Sequence, residues 1–161
     1  MLGFRIPLRA LGRAVAAAPV ALLAACGNVS AGVDFAAPKD WTATPALFGR
    51  AQMWLKNGSD KQHRQVVMLI RADPNGRDVF YDPKFAEGSV EHLKREKITI
   101  CGDREAELVS GRGGNGQTSA MEGVTTRIGD TQFAAMYLRK DARDPIDPEA
   151  ERAIRSLCPK P

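Results

Sequence analysis

The 161-residue chain is poor in the side chains that most chemistry needs: two histidines, three cysteines, and an aromatic content of 6%. Neither His63 nor His92 has a second ligand at two to four residues' distance, so the spacing of a zinc site is absent. No G-x-S-x-G elbow occurs, and Ser110 has no identifiable base. There is no Cys-x-x-Cys pair to support a redox site. The longest apolar run, Ala14 to Ala25, is about a dozen residues, against the roughly 20 that a helix needs to cross a bilayer. A basic block is missing too. The net charge of +4 owes three units to Arg5, Arg9 and Arg13, and from Cys26 onward it is close to balance. An electrostatic footprint for nucleic acid is therefore not expected.

Two short motifs fail on their frames. Gly111, Gly113 and Gly116 satisfy G-x-G-x-x-G with Asp130 about 20 residues on. The pattern requires a strand before and a helix after, whereas the following Gly123, Thr125 and Thr126 favour a strand, so a surface loop is expected and no nucleotide. Asp73 to Asp78 carries oxygens near a glycine, but Gly76 and Arg77 stand at the wrong positions for a calcium loop. No metal and no diffusible cofactor is expected.

Three arginines, an uncharged apolar stretch and a small-residue approach to Cys26 describe an export signal over residues 1–25. Leu23-Ala24-Ala25-Cys26 resembles the lipobox of bacterial lipoproteins. The resemblance implies cleavage between Ala25 and Cys26, diacylglycerol on the Cys26 sulfur and acylation of the new amine. Two or three acyl chains give stable anchoring at about 0.8 kcal/mol per buried CH₂. It further implies a periplasm-facing envelope address. Gly27, in place of the aspartate that retains many enterobacterial lipoproteins, tilts this toward the outer membrane.

In such an oxidising compartment Cys101 and Cys158 are expected to form a disulfide, with free buried thiols as the alternative. Ala150, Ala153, Ile154, Leu157 and Cys158 trace an apolar helical stripe over 148–157, capped by Asp147 and stopped by Pro159. Cys101 ends the β-branched run "KITIC", which reads as a strand.

Residues 26–40 are small, polar and aperiodic and read as a flexible tether, leaving 41–161 as one domain. A hairpin is expected from 51–56 and 65–72, in competition with a helix over 45–57. A second hairpin is expected around Gly129-Asp130. Phe85, Ala86, Ser89, Val90 and Leu93 mark a helix over 84–95, and "GDREAELVS" reads as one or two helical turns or none. The expected class is α+β: a mostly antiparallel sheet of hairpins with two or more helices packed on it. The element order, with the "ITICG" and "SLCP" ends, resembles small exported bacterial proteins of PsbP-like architecture, which implies no function.

With a strong anchor signal and no assembled catalytic motif, the sequence favours a non-catalytic, membrane-tethered envelope module that binds a protein or cell-wall partner. Trp54, opposite Met53 and Leu55 on its strand, is the residue that could line an exposed groove for it, though core residence is the commoner fate. The rival is a lipid-anchored hydrolase whose acid and base come from distant positions. A concave pocket holding two or more titratable groups would favour that rival.

Overall fold

A computed structural model describes residues 29–44, 49–72, 78–81, 91–113 and 119–160. Seven strands form one sheet: β2 (Trp41–Ala43), β3 (Ala51–Lys56), β4 (Gln65–Arg71), β5 (Glu91–Ile100), β6 (Arg104–Arg112), β7 (Ala120–Ile128) and β8 (Thr131–Arg139). Their spatial order is β2-β3-β4-β8-β7-β6-β5, with every neighbouring pair antiparallel. Two short strands, β1 (Val33–Asp34) and β9 (Cys158–Pro159), pair separately. The one α-helix among the described residues is α1 (Pro148–Arg155), and Val79–Tyr81 make a single 3-10 turn.

This corrects the expected α+β class. The described chain is an antiparallel β-sheet with one short helix, not a sheet under two or more. The expected helix over 84–95 lies partly outside the described residues, but its C-terminal part belongs to β5, and His92 is on a strand. "GDREAELVS" enters β6 instead of helical turns. The physical reason lies in the charges. On β5, Arg95, Lys97 and Thr99 share one face and Ile98 and Ile100 the other, but Lys94 and Glu96 also fall on that second face. Four consecutive charges therefore hide the period of two until Ile98, and the strand signal begins only at "KITIC". On β6, Glu105 and Glu107 stand opposite Thr99 and Lys97.

The 51–56 and 65–71 strands do pair, Trp54 opposite Val67, and the helix alternative is not adopted where that segment is described. The second hairpin closes between Ile128 and Thr131. Its two-residue turn puts Gly129 at φ +56°, the left-handed region that twists in register with the strands. The terminal helix forms but ends at Arg155, short of the expected 157, and Cys158 lies on β9 instead of on the helical stripe. Asp147 caps it, accepting from the Glu149 and Ala150 amides at 2.9 and 3.3 Å, and Pro148 starts the first turn.

Packing is two-sided. Phe133, Ala135 and Tyr137 of β8 face one core with Val67, Leu69 and Val124, closed by Ala150, Ala153, Ile154 and Leu157 of the helical segment, all fully buried. Each such aliphatic side chain contributes about 1.5–3 kcal/mol. Val29 and Val33 join this core, so the expected tether is already packed against the body from Val29 onward. Ala134 and Met136 face the opposite way, toward Phe80, Val109 and Met121. Phe80 reaches the sheet because Gly123 has no side chain: a Cβ there would lie 3.0 Å from the Phe80 ring and 3.1 Å from the Ala135 carbonyl oxygen.

Cys101, in the β5–β6 turn, is disulfide-bonded to Cys158, with Cα atoms 5.8 Å apart. The bond closes a loop of 57 residues. Replacing both cysteines by serine is expected to lower unfolding free energy by about 2–4 kcal/mol, read as a lower denaturant midpoint. Gly123→Ala is expected to cost about 1–3 kcal/mol by pushing Phe80 off the sheet. An unchanged midpoint in either variant would contradict the packing described.

Candidate functional site

The sheet face that carries Phe80 is not apolar throughout. Toward the β5–β6 turn it becomes a cleft of about 510 Å³ whose walls include Asp78, Arg95, Lys97, Glu105, Glu107 and Arg127. Register explains the assembly. Lys97, Glu107, Thr125 and Ala134 stand on successive strands across the sheet, each opposite the next. Thr99 stands opposite Glu105, and Arg127 opposite Gln132, in the neighbouring row. Strand periodicity therefore aims charged and hydroxyl groups from β5, β6 and β7 into one depression.

Its floor is fixed by hydrogen bonds. Gln132 is 2% exposed and donates to the Thr125 hydroxyl at 2.8 Å, while its carbonyl oxygen accepts from the Val79 amide at 2.9 Å. Thr125 in turn donates to the Phe133 carbonyl at 3.0 Å. Asp78 accepts from the Phe80 amide at 2.9 Å and so holds the 3-10 turn that carries Phe80. Arg95 joins the parts: its guanidinium reaches Glu107 at 2.5 Å and Asp78 at 3.2 Å, and lies 5.8 Å from the centre of the Phe80 ring. Burial pushes the Asp78 carboxyl up. Hydrogen bonds from Arg95, the Phe80 amide and Gln132 outweigh that and hold it below the usual value.

The remaining charges are not consumed in this way. Among the described residues, neither Lys97 nor Arg127 has a carboxylate within ion-pair distance, and the Glu105 carboxylate has no cation. All three are solvent-exposed. The cleft therefore presents Lys97, Arg127 and Glu105 to solvent above a base in which Arg95 serves both Asp78 and Glu107, with acids and bases balanced over the whole lining.

The residues singled out by sequence fall elsewhere. Cys26 and Ala25 lie outside the described residues. Trp54 packs on the opposite face, half-buried against the main core with its ring centroid 5.2 Å from that of Phe35, and does not border the cleft. The disulfide of Cys101 and Cys158 lies at the turn beyond β5. Gly111 is inside β6 opposite Met121, an antiparallel strand and not a strand-to-helix turn. His63 pairs with Asp144 at 2.8 Å on the surface, and this carboxylate raises its pKa through the hydrogen bond and the opposite charge. Among the described residues no cluster of three His, Cys, Asp or Glu side chains could hold a metal ion.

Sequence reasoning missed the cleft because its residues read as ordinary surface charge. The available signal was the alternation Arg95, Lys97, Thr99 beside Glu105, Glu107 across a turn, which is legible only once both segments are known to be strands.

No protein-family model matches the chain, and no curated protein matches it. Ten chains of solved structures do match. One is the crystal structure of LpqN, described as involved in cell envelope biogenesis of Mycobacterium tuberculosis. It shares 17% identity, covering 79% of this chain and 83% of that one, with a TM-score of 0.44, a distant likeness.

The depressed pKa of Asp78 fixes the sign of an acid effect. Its contribution to stability is fully present above the ordinary value of 3.8 and is lost as pH falls through the lower folded value. Asp78→Asn is expected to lower the urea midpoint at pH 7 and to flatten its decline below pH 3.8, relative to the unaltered chain. Parallel curves for the two proteins would show that Asp78 is not held by Arg95.

Proposed function

We propose that this chain is a lipid-anchored, non-catalytic module of the bacterial cell envelope that binds a partner through the polar cleft on β5–β8. The anchor reading rests on one observation, the Leu23-Ala24-Ala25-Cys26 motif behind an arginine-led apolar stretch. Acyl groups on Cys26 would hold the domain at a membrane surface facing the periplasm, where a Cys101–Cys158 disulfide is at home. The partner surface moves from Trp54, which packs half-buried against the main core, to the cleft, where Lys97, Arg127 and Glu105 stand exposed above a hydrogen-bonded floor.

The cleft is also what favours the rival reading, because it is concave and gathers the carboxylates of Asp78, Glu105 and Glu107. Its electrostatics argue for binding instead. A general acid working near neutral pH needs a carboxyl whose pKa is raised. Here Asp78 is held low and Glu107 is paired with Arg95 at 2.5 Å. A charge lattice of this kind positions a ligand more readily than it moves a proton.

The experiment compares the full chain with Cys26→Ala in a bacterial host. The unaltered protein is expected in the membrane fraction with an intact mass that lacks residues 1–25 and includes fatty acyl groups. The variant is expected to lose the acyl mass and leave the pellet. An unaltered protein that retains residues 1–25 and carries no acyl group would remove the basis of the proposal.

A further inference from the structure

Resting on the reading of an acylated Cys26 and a ligand-binding cleft, we infer that the cleft receives the zwitterionic phosphoethanolamine headgroup of a lipid in the membrane that holds the anchor, its phosphate on Lys97 and Arg127 and its ammonium on Glu105. Two independent observations converge. The first is chain length. Gly27 and Asn28 alone separate Cys26 from Val29, which is 5% exposed and already packed in the main core. That stretch reaches at most about 11 Å even when fully extended. The chain then enters the end of the sheet that carries the β5–β6 and β7–β8 turns. A Cβ on Gly32 would lie 3.5 Å from the ring of Phe133, near the start of β8, and Asp34 pairs with Cys158, which is bonded to Cys101 in the β5–β6 turn. The cleft opens at this same end. Thr99 opposite Glu105 is one pair in from the first turn, and Arg127 opposite Gln132 is one pair in from the second. An anchored domain therefore keeps the cleft beside the headgroups. The helix α1, along which the chain passes next, offers them no open charge, because Glu149 pairs with Arg152 and Glu151 with Arg155.

The second observation is the mixture of charge. Asp78, Glu105 and Glu107 face Arg95, Lys97 and Arg127 in the lining, so an occupant of a single sign would meet as many like charges as opposite ones. Arg95 is engaged by Asp78 and Glu107, and the exposed groups are Lys97, Arg127 and Glu105. Lys97 on β5 and Arg127 on β7 stand on either side of β6, from which Glu105 projects. Cations flanking a carboxylate suit a phosphate diester joined by a short linker to an ammonium, each held by a charge-assisted hydrogen bond. The exposed Thr99 hydroxyl, opposite Glu105, is a further donor for a phosphate oxygen. The lining also separates headgroups. A quaternary ammonium is held by open aromatic faces. Among the described residues no aromatic side chain lines the cleft, and Phe80 is 3% exposed beneath Arg95. A primary ammonium instead brings N–H donors that the Glu105 carboxylate accepts. A glycerol headgroup brings no cation for Glu105 at all.

The test uses protein expressed from the full chain and purified in non-ionic detergent. Deacylated headgroups are titrated in, and saturation-transfer NMR reads their contact with the protein. Glycerophosphoethanolamine is expected to give a saturable signal, with glycerophosphocholine and glycerophosphoglycerol bound about fivefold more weakly or worse. Glu105→Gln, at an exposed position, is expected to remove that preference. Lys97→Gln combined with Arg127→Gln, also exposed, is expected to weaken glycerophosphoethanolamine about fivefold or more with an unchanged circular dichroism spectrum. The same protein is then held in phosphatidylcholine vesicles with and without phosphatidylethanolamine. Hydrogen exchange at the amides of Thr99, Glu105 and Arg127 is expected to slow when phosphatidylethanolamine is present.

Equal signals from the three headgroups would overturn the inference, as would indifference to both sets of substitutions. Binding of the soluble headgroup with identical exchange in the two kinds of vesicle would overturn the lipid source and make the ligand a free solute. Acylated protein that ignores glycerophosphoethanolamine would refute the headgroup while the anchor stands. Protein that binds it but carries no acyl group would remove the anchor, and with it the membrane as the source of the ligand.

Discussion

Burial of β8 on both faces is the constraint from which the rest follows. From Gln132 to Tyr137 every residue is at most 2% exposed, so the strand has to be covered above and below. One cover is α1 with Val29 and Val33, and the other is Phe80 on its 3-10 turn. The two are not equal in extent. The first spreads across β8, β4 and β7, whereas the second, among the described residues, centres on one ring seated on a glycine with Val79 and Leu93 packed nearby. Beyond Phe80 on β5 and β6 stand the exposed Lys97, Thr99 and Glu105 and the half-buried Glu107. The polar cleft is thus the part of a two-sided sheet that the smaller cover leaves open.

Polar side chains lock the larger cover in place. The Tyr137 hydroxyl, buried in the main core, donates to Gln65 at 2.6 Å and accepts from the Asp147 amide at 3.1 Å. Asp147 caps α1 and pairs with Lys56 at 2.7 Å. One phenol thereby links β8, β4 and the start of the helix, and a buried hydroxyl with both partners satisfied incurs little desolvation cost. On the cleft side, Arg95 performs the corresponding task between Asp78, Glu107 and Phe80.

Legibility from sequence follows this division. The helix at 148–155 and the hairpins on either side of it in space were readable because their apolar residues keep the period of the element that buries them. Ala150, Ala153 and Ile154 do so for the helix, and Val67 and Leu69 for β4. β5 was readable only at its "KITIC" end, because Lys94 to Lys97 put charge on both of its faces, and β6 was not, because Arg104, Glu105 and Glu107 around a single alanine also suit a helical turn. Val33 escaped because a two-residue strand carries no period at all, and its burial is decided by β9, more than a hundred residues away in the chain. The cleft was hidden for a related reason. Lys97 and Arg127 are unremarkable as single charges, and only the register that sets them in adjacent rows makes them a site.

The pairing of β1 with β9, together with the Cys101–Cys158 bond, has a mechanical side. In a chain held by the residues before Val29, tension would enter at Val29 and Val33, cross the short ribbon to Pro159 and Cys158, and pass through a covalent link to the turn at the end of β5. A domain tugged from that end would be loaded at its larger core and, through the disulfide, at the strand bordering the cleft.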